Sequence, residues 1–249
     1  QAILLDNGNL VLANGIDLIW QSFDYPTDTW LPGGKIGFNR ITNAIIVLTS
    51  WKNKENPAQG LYSLGMDPTS NGEIFIWRNS NKLWRSGGCQ AGSFPSMETS
   101  SDDSYNFSYN SNDEGKYLVY NGNKSIISRI VIDISGTMMQ YFWLPRLQEW
   151  TIFRSLPSSL CDIYSSCGAF GYCDISSSPS CCCLPGFEPQ FKQDWDLLDF
   201  SGGCMRKKPI NCATGQTGFL SIPTMRLPAY SDSLEVGRET GRASWWERG

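Results

Sequence analysis

The 249-residue sequence has no histidine, no apolar run long enough to span a bilayer and no cluster of lysine and arginine. Each absence removes a class of function. Without histidine neither a Ser-His-Asp nor a Cys-His arrangement can be assembled, and three-His zinc chemistry is excluded. The longest apolar stretches are of the Ala44–Leu48 and Ile130–Ile134 type, far short of the roughly 18 residues of a spanning helix. Twenty basic residues against 24 acidic ones leave a formal net charge of −4. Nucleic acid and anionic membrane both attract concentrated positive charge, so neither is an expected partner. The first residue is Gln1, with no charged-then-apolar leader behind it. Any export signal is therefore expected outside this segment, which reads as cut at both ends. No helix of ten residues is expected either.

What the chain does have is β pattern. Ile3-Leu4-Leu5, Leu10-Val11-Leu12 and Leu18-Ile19-Trp20 are short apolar runs separated by Asn7-Gly8 and Asn14-Gly15. Asn-Gly between such runs is a strong hairpin signal, because both residues tolerate positive φ. Further strands are expected at Gly60–Met66, Glu73–Arg78, Tyr105–Tyr109, Lys116–Tyr120, Ile126–Ile134 and Met138–Leu144, divided by Asp-Pro, Asn-Gly and Ser-Gly turns. Trp20, Trp30, Trp51, Trp77, Trp84, Trp143 and Trp150 recur through this region. A β domain could present them to a sugar or bury them, and burial is expected, since large aromatics dominate β cores. From Leu160 the composition turns to Cys, Gly, Ser and Pro, which marks a boundary between a core-stabilised domain and a cross-linked one. After Cys212 one new strand is expected over Gly218–Ile222, and Glu239–Gly249 has no evident fold partner.

Eight of the nine cysteines fall between Cys161 and Cys212, a density that points to an oxidising, extracellular compartment. The order Cys161, Cys167, Cys173, Cys181, Cys183 and Cys204, with Gly168, Gly171 and Gly186 at intervening turns, resembles an EGF-like module. That resemblance implies pairing of the first Cys with the third, the second with the fourth and the fifth with a later one; spacing alone leaves the connectivity open. Zinc would need paired CxxC-like thiolates, which the five-residue gaps do not supply. A calcium-binding EGF module would carry acids just before its first Cys, and Ser155–Leu160 has none. No metal and no cofactor is expected.

A longer pattern runs through the chain: Leu4-Leu5-Asp6-Asn7-Gly8-Asn9-Leu10-Val11-Leu12, Trp20-Gln21-Ser22-Phe23-Asp24-Tyr25-Pro26-Thr27-Asp28-Thr29, Thr49-Ser50-Trp51-Lys52, Leu83-Trp84-Arg85-Ser86-Gly87 and Cys167-Gly168-Ala169-Phe170-Gly171-Tyr172-Cys173, in this order. It resembles plant S-locus glycoproteins and the ectodomains of S-domain (G-type lectin) receptor-like kinases. The resemblance implies a mainly β chain. Residues 1–37 would end a bulb-type lectin β-prism, 45–153 form an S-locus glycoprotein domain, 160–204 an EGF-like module and 212–239 the start of a PAN/apple domain. Residues 240–249 are a non-family tail. It also implies a place at the plant cell surface or in secretion, and a role in pollen recognition, defence or development. In receptor members a membrane span and a Ser/Thr kinase follow.

Several positions depart from the family pattern. Bulb lectins hold mannose with Gln-x-Asp-x-Asn-x-Val-x-Tyr, and the matching positions here are Leu5, Asn7, Asn9, Val11 and Ala13. Only Asn9 and Val11 agree, so a structural remnant is expected and carbohydrate is a disfavoured partner. Cys89 stands where the family usually has Trp, and Cys182 is an addition between Cys181 and Cys183. These two could pair, bond another molecule or stay free. Cys212 is left for the PAN segment. Asp102-Asp103 reads as a solvated loop, and Asp199-Phe200-Ser201-Gly202 lacks every other kinase element. Asn106-Phe107-Ser108 and Asn123-Lys124-Ser125 are glycosylation acceptors.

The expected function is a non-catalytic extracellular recognition segment that binds a peptide or protein ligand, with receptor homo- or hetero-dimerisation as a further expectation. A mannose-binding lectin and a truncated, non-functional gene product are the rival readings.

Overall fold

The computed structural model describes residues 1–70, 72–87, 105–123 and 125–209. Cys89, the Asp102-Asp103 pair, Cys212, the strand expected over Gly218–Ile222, the segment 212–239 and the tail 240–249 lie outside the described residues. The chain divides into two units, Gln1–Lys207 and Lys208–Gly249, and the architecture below is that of the first.

Strands β1 (Ala2–Leu4), β2 (Leu10–Asn14) and β3 (Asp17–Gln21) form an antiparallel meander. Both Asn-Gly pairs make its turns, with φ of +86° at Gly8 and +64° at Gly15. Gly15 is the first loop residue between partners Asn14 and Asp17, where a II′-type turn asks for glycine. A 3-10 turn at Ser22–Asp24 leads out of this sheet.

The next segment supplies β4 (Thr29–Trp30), β5 (Lys35–Asn39), β6 (Ile45–Ile46) and β7 (Leu48–Asn53); β4, β5 and β7 each pair with a later strand, and β6 pairs with β5. The later strands are β8 (Asn56–Met66), β9 (Ile74–Arg78), β10 (Asn81–Arg85), β11 (Tyr105–Asn112), β12 (Gly115–Gly122), β13 (Ser128–Ile132), β14 (Met138–Leu144) and β15 (Glu149–Leu156). The result is three four-stranded antiparallel sheets, ordered β10-β9-β8-β7, β11-β12-β5-β6 and β15-β14-β13-β4. Their inner faces meet in one core containing Trp30, Ile36, Leu48, Leu64, Ile76, Trp84, Tyr105, Leu118, Tyr120 and Ile130. Strand alternation builds it: in β13, Ser128, Ile130 and Ile132 point in while Arg129 and Val131 point out. The strand expected over Ile126–Ile134 is shorter at its end because the Asp133 carboxylate accepts the backbone N–H groups of Ser135 and Thr137, both at 2.9 Å. That turn competes with the ladder.

Two buried serines of the core are paired, whereas Trp30 Nε1 is enclosed without a hydrogen-bond partner. Ser86 Oγ accepts the Ile74 N–H at 3.0 Å and donates to the Gly87 carbonyl at 2.9 Å. Ser50 Oγ accepts the Tyr62 N–H at 3.2 Å.

Beyond β15 the chain becomes short elements held by cross-links: a 3-10 turn at Leu160–Asp162, β16 (Gly171–Cys173), β17 (Cys181–Cys183), β18 (Phe187–Pro189), the five-residue helix α1 (Lys192–Asp196) and β19 (Cys204–Arg206). A backbone bond from Tyr164 N–H to the Leu83 carbonyl, 2.7 Å, ties this segment to β10. No helix among the described residues is long and apolar enough to cross a membrane.

Candidate recognition surfaces

The strand that would carry a sugar site has spent its polar groups internally. Asn9 is 6% exposed. Its Nδ2 donates to Gln21 Oε1 at 2.9 Å, and its Oδ1 accepts Ser22 Oγ at 3.1 Å and the Phe23 N–H at 3.2 Å. Asn7 Oδ1 accepts the Asn9 N–H at 3.0 Å. The chain of contacts continues from Gln21 Nε2 to Asp24 Oδ2 at 2.9 Å and from Asp24 to Lys35 Nζ at 3.3 Å. Asn9 therefore ties the meander to the Ser22–Asp24 turn and, through Asp24, to β5. Val11 is buried.

The tryptophans divide between core and surface. Trp30 and Trp84 are buried at 2% and 1% exposure, as expected of core aromatics. Trp20, Trp51, Trp77, Trp143 and Trp150 are half-buried instead. For Trp143 and Trp150 the reason is strand parity. In β14, Met138 and Gln140 occupy the inward positions, so Tyr141 and Trp143 face out with Met139. Trp143 opposes Trp150 across the β14–β15 pair, with ring centroids 5.5 Å apart and edge-on.

In the cysteine-rich segment Cys161 is bonded to Cys173, Cys167 to Cys181 and Cys183 to Cys204. The sulfurs of Cys167, Cys173 and Cys181 lie within 4.8 Å of one another. All three are consumed in those disulfides, so none is left as a thiolate for a metal. Cys182 carries no disulfide and sits in β17 opposite Tyr172. Phe200 is buried at 6% exposure, edge-on to Trp195 at 5.0 Å, and packs with Cys167 and Cys181. Hydrogen bonds from the Ser201 hydroxyl and from the Ser201 N–H, the latter at 3.0 Å, lower the Asp199 pKa. The Asp-Phe-Ser-Gly stretch is thus a capped turn with a core anchor. Just before Cys161's partner strands, burial raises the Asp162 pKa, but hydrogen bonds from Ser158 and Ser159 outweigh it and the net shift is downward.

Asn106 and Asn123 are both exposed. They lie at the same end of the β11–β12 hairpin, where Tyr105 pairs with Gly122 and Asn106 with Asn121. Asn121 Nδ2 donates to Asn106 Oδ1 at 2.9 Å and to Ser108 Oγ at 3.0 Å, so this outer face is polar.

Two family models match this architecture. Residues 1–52 match the D-mannose binding lectin model and residues 84–191 the S-locus glycoprotein domain. The chain thus carries a bulb-type lectin domain and an S-locus glycoprotein domain, and it is similar over most of its length to proteins built on the same pair. A G-type lectin S-receptor-like serine/threonine-protein kinase of Arabidopsis thaliana is 41% identical over 94% of this chain and 29% of its own length. A second Arabidopsis receptor-like serine/threonine-protein kinase is 37% identical over 91% of this chain and 27% of its own. An S-locus-specific glycoprotein of Brassica oleracea is 38% identical over 96% of this chain and 56% of its own. The chain therefore spans under a third of the length of these kinases. The domains matched are the lectin and S-locus domains, and neither is a kinase domain.

Proposed function

We propose that this S-locus segment is a non-catalytic extracellular recognition module whose ligand is a peptide or protein, serving cell–cell recognition of the pollen or defence type. The observation that carries the reading is the division of the aromatic residues. Trp143, Trp150 and Tyr141 are held half-buried on the outside of the three-sheet body, the residue types that dominate protein-binding hot spots. Asn9, the polar residue shared with the mannose motif, has its amide committed to Gln21, Ser22 and Phe23. The second fact favours a protein ligand over a sugar, and the first supplies a surface that such a ligand would use.

In this reading residues 160–204 are an EGF-like spacer locked by three disulfides, Asn106 and Asn123 carry glycans, and the segment works as a secreted protein or as the ectodomain of a receptor Ser/Thr kinase that dimerises with itself or a co-receptor. Calorimetric titration of the secreted chain with an oligomannose glycan is expected to give no saturable heat. Saturable binding competed by methyl α-mannoside would overturn the reading in favour of a lectin.

A further inference from the structure

We propose that the outer face of the β13–β14–β15 sheet is a docking surface for a protein segment that presents a carboxylate beside an apolar side chain. The proposal deepens the protein-ligand reading above and rests on it. Register places two rows across the three strands: Arg129, Tyr141 and Ile152 in one, and Trp143 beside Trp150 in the next. Trp143 N–H also bonds the Ile127 carbonyl at 2.9 Å, which brings exposed Ile127 alongside the second row.

Arg129 lies against two aromatic rings. Its guanidinium carbon is 4.3 Å from the Trp150 centroid and 5.3 Å from that of Tyr141. Its Nε is enclosed without a hydrogen-bond partner, and among the described residues no acid lies within ion-pair distance of it. The two rings hold the planar head still, so little side-chain freedom remains to be lost on binding. A charged donor already partly stripped of water gains most from an anionic acceptor that reaches it. Arg146 and Glu149, exposed at the β14–β15 turn, offset one another, so Arg129 sets the sign of the face.

The hydrophobic part of the partner is read from the neighbours. Ile127 and Ile152 are 60% and 54% exposed on either side of the aromatic rows, an apolar surface that water contacts only at a cost. The outer face of the β11–β12 hairpin is the contrast: Asn106, Ser108 and Asn121 line it and a glycosylation acceptor lies at its end.

The test pans a displayed random dodecapeptide library on the whole chain, then titrates the selected peptides against the chain and its Ile152→Glu, Ile152→Lys, Arg129→Gln and Trp150→Ala variants. Ile152 is exposed, so its two variants report on charge without disturbing the fold. Selected peptides are expected to carry Asp or Glu next to an aliphatic or aromatic residue. Arg129→Gln, Trp150→Ala and Ile152→Glu should each weaken them about tenfold, and Ile152→Lys should not. Peptides lacking an acid, or peptides that bind all four variants like the parent, overturn this surface and leave the protein-ligand reading standing. An empty selection together with Trp150-dependent capture on a printed glycan array overturns both.

Discussion

The phenol of Tyr120 donates to Ser128 Oγ at 2.6 Å, deep in the three-sheet core, and Gln140 Nε2 donates to the same phenol oxygen at 3.3 Å. The three residues stand on β12, β13 and β14, so this bond pair joins two of the sheets across apolar surroundings. Tyr120→Phe keeps the ring and its packing on Trp30 and Phe107 but leaves Ser128 and Gln140 without that partner. The expected loss is about 1–3 kcal/mol of unfolding free energy, read by denaturant titration. A loss below a few tenths would mean that the two groups find other partners.

The same phenol makes stability fall at alkaline pH. Burial raises the Tyr120 pKa, and its hydrogen bonds with Ser128 and Gln140 only partly oppose it. In the unfolded chain the phenol ionises near its ordinary value of about 10. Since the folded value is the higher one, its contribution is complete below about pH 10 and is lost as pH rises through the folded pKa. Stability measured between about pH 9 and pH 11 should therefore drop more steeply in the parent than in Tyr120→Phe. Parallel curves would show that the phenol reaches water.

The hairpins at Asn7-Gly8 and Asn14-Gly15 and most of the long strands were legible in the sequence because their signals are local: turn dipeptides, β-branched and aromatic runs. What was not legible is where the strands go. β5 pairs with β12, whose residues lie far along the chain, and no local pattern encodes that choice. β10 was missed because Asn81, Lys82 and Arg85 dilute its two apolar residues. The mismatches at Leu5, Asn7 and Ala13 showed that the mannose motif is degraded, but only the structure shows what the surviving Asn9 amide now does. The outward set of Arg129, Tyr141, Trp143 and Trp150 follows a period of two and could have been found by tracing which positions alternate with Ile130 and Ile132. The register shift between Gln140 and Tyr141 on the β15 pairing breaks that trace at Phe153.

Reduction should separate the two parts of the unit. The described residues of the three sheets contain no cysteine, whereas the three disulfides among the described residues lie between Cys161 and Cys204. Replacing Cys183 and Cys204 by Ser opens a cross-link of sequence separation 21, expected to cost about 3 kcal/mol in the segment it closes. Hydrogen exchange followed by mass spectrometry in the presence of a thiol reductant should show deprotection of residues 161–206 while β8, β9, β13 and β14 keep theirs. Equal loss of protection in both would mean that the cysteine-rich segment is needed to hold the sheets together.

Asp162 governs the junction between those parts at the acid end of the pH scale. Burial raises its pKa, yet hydrogen bonds from Ser158 Oγ at 2.7 Å, Ser158 N–H at 2.9 Å and Ser159 N–H at 3.0 Å lower it by more. The folded value is therefore below the unfolded one, about 3.9. The sign follows: its stabilisation is present above the unfolded pKa and disappears as pH falls through the folded pKa. Asp162→Asn cannot offer a carboxylate to three donors, and capping contacts of this type are worth about 0.5–2 kcal/mol. Exchange of the amides over residues 158–166 should be faster in the variant at neutral pH. From about pH 5 down to about pH 2 the parent should lose protection there until the two proteins converge, because a protonated Asp162 resembles the amide. A parent whose protection at these amides does not change over that range would show that the charge is not what holds the turn, and that Tyr164 on Leu83 alone fixes the junction.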